Sequence, residues 1–164
     1  LNPIIEDNFI DRDLTMADYV DEIVKSFQEI SRKDFIVNYD QNSNSLNITK
    51  STEIIYGLRN FIGNANKFSE NKIFINIKSD NDLTEVIIED DGEGYQKDVL
   101  SKIGEPYIKS VKSSIKSKSG LGLGIFIGKT LLEKNYANIL CKNSETRGGA
   151  EVNIKWKNED LLKL

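Results

Sequence analysis

Hydrophobic positions recur along the chain in two rhythms, one helical and one extended, and the order in which these alternate sets the expected fold. Residues 1–14 are polar and irregular and read as a linker arriving from something upstream. Thr15 then caps a helix, with Asp18 at the capping-box position more often held by Glu. Tyr19, Ile23, Phe27 and Ile30 follow at helical spacing to about Ser31. Short extended runs come next at 35–39 and 46–48, divided by the turn-rich 41–45. A second helical pattern covers about 52–68. Residues 73–78 and 84–89 alternate like paired strands joined at Asp80, Asn81 and Asp82. The Ser/Lys-rich stretch 109–119 offers few large apolar groups to bury and reads as a mobile loop. Gly120, Gly122 and Gly124 lead into a helix to about Lys134. Strands near 138–142 and 150–156 close the chain around a turn at Arg147, Gly148 and Gly149. This order predicts an α+β fold: a two-layer α/β sandwich with a mixed, mostly antiparallel sheet and helices on one face.

Composition narrows the function classes. The 164 residues fit one domain, and 38% hydrophobic with 29% charged residues suits a folded, soluble chain. A net charge of -4 and a pI near 5.0 argue against an electrostatic grip on nucleic acid or anionic lipid. No apolar run reaches the roughly 18 residues of a membrane span. Glu6, Asp7, Asp11 and Asp13 stand where a signal peptide would be basic. A lone Cys141 cannot close an internal disulfide, so a reducing cytoplasm is the default compartment. The chain has no histidine, which removes His-based catalysis and phosphohistidine from this polypeptide.

Three clusters carry candidate chemistry. Asn60, Asn64 and Lys67 share one stripe of the second helix, about 130° from the centre of the Ile54, Leu58, Phe61, Ile62 and Ala65 face. Two amide oxygens and an ammonium beside the core suit a cation and phosphate oxygens; alone, the stripe equally suits a solvated face. Asp90, Gly92 and Gly94 follow a strand directly. Glycines allow close approach to a flat ligand, and a buried carboxylate accepts a hydrogen bond from an exocyclic amine, as adenine offers. An acidic turn at Asp91 and Gly92 is the plainer alternative. Gly120, Gly122 and Gly124 open a helix, where free N–H groups and the positive dipole end favour phosphate.

In this order the three clusters resemble the N, G1 and G2 boxes of the GHKL (Bergerat-fold) ATP-binding superfamily, and the resemblance runs from about residue 15 to 157. The run from Gly104 through Pro106 and Tyr107 to Lys109 is similar to the box that begins the ATP lid of sensor histidine kinases, although Gly104 and Tyr107 stand where Phe is frequent. Gly148, Gly149 and Ala150 resemble the terminal glycine turn of those domains. Within the kinases, the lid box and the segment from Gly120 to Glu133 are most similar to the RegB/PrrB redox-responsive type.

The resemblance implies a catalytic domain over 15–164 with a flexible lid at about 95–119. It implies ATP or ADP with Mg²⁺, with Asp90 on the adenine amine and Asn64 on the metal. Asn60 would assist at metal or phosphates, Lys67 would contact phosphate, and Lys109 would supply a lid cation. Gly92, Gly94 and Tyr107 would contribute to the nucleotide site, and Gly120, Leu121, Gly122, Leu123 and Gly124 would cradle phosphates. Asn60, Lys67 and Lys109 would be the catalytic groups. Hydrolysing members of the superfamily hold a glutamate base at the position of Asn60, so slow hydrolysis and phosphoryl transfer are expected. The acceptor would be a histidine on a separate dimerisation domain, relaying to a response regulator. A monomeric fragment, a homodimeric parent anchored in the inner membrane, and no nucleic-acid partner complete the expectation. A GHKL-type ATPase and an anti-sigma-type serine kinase are the alternatives.

Overall fold

The computed structural model describes residues 14–40, 46–49, 51–103 and 121–164, with the backbone alone for 121–123. In chain order these form β1 (Leu14–Thr15), α1 (Met16–Gln28), β2 (Asp34–Tyr39), β3 (Asn47–Ile48), α2 (Thr52–Phe68), β4 (Lys72–Ser79) and β5 (Leu83–Asp90). Then come α3 (Lys97–Ile103), α4 (Leu121–Lys134), β6 (Asn138–Asn143), β7 (Ala150–Lys157) and α5 (Asn158–Leu161). Residues 104–120, most of the expected lid, and the linker residues 1–13 lie outside the described residues. Tyr107, Lys109 and Gly120 lie there too.

One sheet has the order β2-β4-β5-β7-β6, parallel between β2 and β4 and antiparallel elsewhere. Successive strand side chains point to opposite faces, and here every second one enters the core. Ile73, Ile75 and Ile77 of β4, Val86 and Ile88 of β5, and Val152, Ile154 and Trp156 of β7 form this inward set. It meets the apolar stripes of α1 and α2, led by Tyr19, Ile23, Ile54, Leu58 and Phe61, all essentially inaccessible. The opposite face carries Asn76, Glu85, Glu89, Glu151 and Asn153 at half-buried positions. A mixed, mostly antiparallel sheet with helices on one face is therefore what the chain adopts.

Local signals set the ends of elements. Thr15 and Asp18 form the expected capping box, each side chain bonding the other's backbone N–H. Ser51 caps α2 by accepting from Ile54 N at 3.2 Å. Three details differ from the sequence pattern. The first helix ends at Gln28, leaving Ile30 81% exposed rather than on the buried stripe. Leu14 is buried and pairs with Ile48, so the packed fold takes in the last residue assigned to the linker. Residues 97–103 form a helix at the start of the expected lid. Among the described residues no helix is long and apolar enough to cross a membrane.

Candidate functional site

The site is built where the C-terminal half of α2 passes the end of β5. Asp90 closes the inward row Thr84, Val86, Ile88, Asp90, so the pleat that buries the aliphatic residues also buries this carboxylate, leaving it 4% exposed. A buried charge must be hydrogen-bonded, and Oδ1 accepts from Gly92 N at 2.9 Å and Ala150 N at 3.3 Å. No described residue donates to Oδ2. Burial pushes the Asp90 carboxyl up, and the Gly92 and Ala150 amides offset only part of that rise. Two glycines make the approach possible. A Cβ on Gly149 would overlap both Oδ1 and the backbone oxygen of Asp90, and one on Gly92 would overlap the Phe68 carbonyl.

The neighbouring Asp91 has a different task. Its carboxylate accepts from the backbone amides of Glu70, Asn71 and Lys72 at 2.9, 3.0 and 3.1 Å, tying the end of β5 to the corner between α2 and β4. Burial raises its pKa, but these amides outweigh that and hold the carboxyl below the usual aspartate range. Tyr95 is fixed in turn by Asn143, whose Oδ1 accepts from Tyr95 N at 2.6 Å and whose Nδ2 donates to Tyr95 O at 3.1 Å.

Between α2 and the strand ends lies a cavity of about 560 Å³. Asn64, Lys67, Asp90, Gly92 and Gly94 all line it, so two of the three sequence clusters meet at one place. Its apolar floor comes from Ile88, Ala150 and Val152, with Phe61, Ala65 and Phe68 of α2 on one wall. Tyr95, Glu70 and Glu93 complete the lining. These residues carry no chemical motif; the alternation of β5 and β7 and the inner edge of the α2 stripe are the signals that would locate most of them.

Asn60 is not among the lining residues. It is half-buried one turn earlier, and its Nδ2 donates to the Tyr56 carbonyl at 2.8 Å. Lys67 is exposed, with Nζ 5.1 Å from the centre of the Phe68 ring. Asn64 is half-buried, and its Nδ2 is inaccessible with no hydrogen-bond partner. The third cluster meets it there. α4 begins at Leu121, so Gly122 and Gly124 belong to the helix itself rather than to a loop before it, and a Cβ on Gly124 would lie 2.8 Å from Asn64 Oδ1. Leu121, Gly122 and Leu123 supply the first turn of backbone. Cys141 is half-buried on β6; burial pushes its thiol up to about 11, against the Tyr95 hydroxyl and Lys129.

This arrangement offers a buried carboxylate over an apolar slot at one end. At the other end stand an amide nitrogen with no partner among the described residues, an ammonium and a glycine-bearing helix start. The chain as a whole is similar to known proteins. The family model described as histidine kinase-, DNA gyrase B-, and HSP90-like ATPase matches residues 49–160. Sensor histidine kinase RegB of Cereibacter sphaeroides is 34% identical over 131 residues, covering 70% of this chain and 28% of that protein. A putative sensor histidine kinase NtrY-like of Rickettsia bellii is 24% identical over 148 residues, covering 87% of this chain and 23% of that protein. The chain thus spans about a quarter of the length of these curated relatives. Among solved structures, the nucleotide-free catalytic domain of histidine kinase ThkA matches with TM-score 0.70 at 21% identity, covering 88% of this chain and 95% of that one. The mycobacterial sensor histidine kinase MprB matches with TM-score 0.66 at 18% identity over the same shares. These likenesses show the fold, and the family match across the α2 to β7 core shows that the chain belongs to the histidine kinase-, DNA gyrase B- and HSP90-like ATPase family.

Proposed function

We propose that the chain is the ATP-binding catalytic domain of a sensor histidine kinase, presenting the γ-phosphate of Mg-ATP to a histidine on a separate dimerisation domain. The observation that carries this reading is the convergence of Asn64, Lys67 and the buried Asp90 on one cavity. Asp90 Oδ2 accepts the adenine amine, and the ring lies on Ile88 and Val152 with Gly92 and Gly94 giving the backbone close access. GTP lacks that amine and presents a carbonyl to the carboxylate, so adenine is selected.

The phosphate end is supported by the unsatisfied amide. Buried polar groups are normally hydrogen-bonded, and Asn64 Nδ2 has no partner among the described residues. Among the described residues no cluster of three or more His, Cys, Asp or Glu is placed to hold a metal. A cation here therefore rests on the Asn64 oxygen and the phosphates, which suits Mg²⁺ with its few protein ligands. When bound, Mg-ATP supplies the phosphoryl group and the charge neutralisation on which transfer depends. Lys67 contacts phosphate, and the free N–H groups of the first turn of α4 favour anionic oxygens. Tyr107, Lys109 and Gly120 keep the lid and cradle roles given above as part of this proposal.

Two facts favour transfer over hydrolysis. The amide of Asn60 has no useful basicity and is engaged with the Tyr56 carbonyl, so no side chain at this position activates water. Removing a general base costs roughly 10²–10⁴ in rate. The chain also holds no histidine, so the acceptor is supplied by another domain, with a response regulator downstream. The parent is a homodimer anchored in the inner membrane, with this domain on the cytoplasmic side and monomeric when separated. Titration with Mg-ATP, Mg-ADP and Mg-GTP by calorimetry tests the site: adenine nucleotides should bind and GTP should not. Equal affinity for GTP would remove Asp90 from base recognition.

A further inference from the structure

The corner between α2 and β4 is held from two sides by opposite charges. On one side Asp91 accepts the amides of Glu70, Asn71 and Lys72. On the other, Lys33 Nζ donates to the backbone oxygens of Asn66, of Lys67 at 3.4 Å and of Ser69 at 2.7 Å. The last carbonyls of a helix have no partners within it, and a cation is favoured there. Ser31 completes the grip, its hydroxyl donating to Asn66 Oδ1 at 2.6 Å and accepting from Lys33 N at 3.1 Å. Asp34 N donates to Asn71 O at 2.9 Å as β2 begins. Residues 66–72 are thus pinned with an ammonium on their carbonyls and a carboxylate on their amides. Neither Ser31 nor Lys33 lines the cavity.

We infer that Lys33 is a positioning residue for nucleotide binding: working with Asp91 across this corner, it fixes the last turn of α2, with Asn64 and Lys67, relative to Asp90. The inference rests on the nucleotide-site reading above. The corner is the junction between the two halves of that site. The helix before it carries the phosphate-binding groups, and the Asp91 grip after it leads directly to Asp90. The backbone at Gly92 also runs close to the Phe68 carbonyl at the same corner, where an added Cβ would overlap that oxygen, so slack there moves the base and phosphate ends apart. The Lys33 charge acts on Asp90 as well, favouring its ionised form.

Wild type, Lys33→Met and Lys33→Arg are titrated with Mg-ADP by calorimetry, well below the melting transition of each, with melting temperatures measured in parallel. Met keeps the aliphatic stem and loses every donor; Arg keeps a cation with several donors. Loss of charge-assisted bonds at the corner should weaken Mg-ADP by about tenfold in Lys33→Met, with Lys33→Arg returning most of it. Unchanged affinity in Lys33→Met, whatever its melting temperature, would reduce Lys33 to a helix cap and overturn the inference. A loss that Lys33→Arg does not relieve would overturn it too. Should Lys33→Met fail to fold, Ser31→Ala removes the Asn66 tether and the acceptor for Lys33 N and should weaken Mg-ADP in the same direction, about threefold; no change there would also overturn it. A wild-type chain that binds no adenine nucleotide would instead overturn the nucleotide-site reading, and this inference with it.

Discussion

Asp90 and Asp91 are adjacent and chemically identical, yet the strand assigns them opposite tasks. Asp90 falls on the inward side of the pleat and becomes a buried carboxylate, the proposed acceptor for adenine; Asp91 falls outward and becomes a brace for the α2–β4 corner. Burial raises the Asp90 pKa above its ordinary 3.8, so the charged form is a burden on the fold. The contribution of a group raised in this way is fully present below its unfolded value and is lost as pH rises through the folded one. At neutral pH the site therefore keeps a carboxylate at some cost in stability. Asp90→Asn should weaken Mg-ATP by about 1–3 kcal/mol, the penalty for an unmatched buried polar group. The same variant should melt no lower than wild type in the absence of nucleotide, since it removes a buried charge but keeps an acceptor for Gly92 and Ala150. Unaltered affinity in calorimetry, or a fall of several degrees in the apo melting temperature, would contradict this assignment. Gly149→Ala has no such separation of effects: its Cβ overlaps Asp90, so folding and binding should fail together.

At the scale of elements, α2 and α4 pack closely and so set the geometry of the proposed phosphate end. Cβ atoms on Gly57 and Gly128 would stand 2.5 Å from Leu132 Cγ and 2.8 Å from Phe61 Cε2, both deep in the core. Gly128→Ala should cost about 1–3 kcal/mol by overpacking, read as a lowered melting temperature. Gly124→Ala meets the Asn64 amide instead, so it should weaken Mg-ATP more than it lowers stability. Equal and small effects of the two substitutions would show that the helices separate without consequence. Much of this was legible in the sequence. The 3.6-residue period of α2 placed Asn64 and Lys67 beside the core, and the alternation of β5 pointed toward Asp90. What escaped depends on tertiary contact. Lys33 caps carbonyls more than thirty positions later, which no local pattern records. α3 runs only seven residues, and its Val99, Leu100 and Ile103 are no more than half-buried, too short a stripe to announce it. Ile30 matched the helical spacing, yet no Gly or Pro marks the stop after Gln28. Asn158 follows the last strand with no motif around it. It is buried, its Nδ2 donating to Asp80 O and its Oδ1 accepting from Thr84, locking α5 to the β4–β5 turn.

For the whole molecule, the absence of histidine from the chain and the amide at position 60 define what it does alone and what it needs from elsewhere. On the proposed reading, a domain that positions a phosphoryl donor, with an amide where hydrolysing relatives hold their base and no acceptor histidine of its own, holds ATP largely unreacted. Asn64→Ala should abolish transfer by removing the side chain proposed to hold the metal and the phosphates, whose Nδ2 has no partner among the described residues. The most direct test follows the γ-phosphate of radiolabelled Mg-ATP incubated with the chain alone and then with the parent's histidine-bearing hairpin supplied separately. The expected result is no label on this chain, negligible phosphate release, and acid-labile, base-stable label on the hairpin. Phosphate release by the chain alone at about one per second, within the ordinary enzyme range, or acid-stable label with an unmodified hairpin, would contradict it.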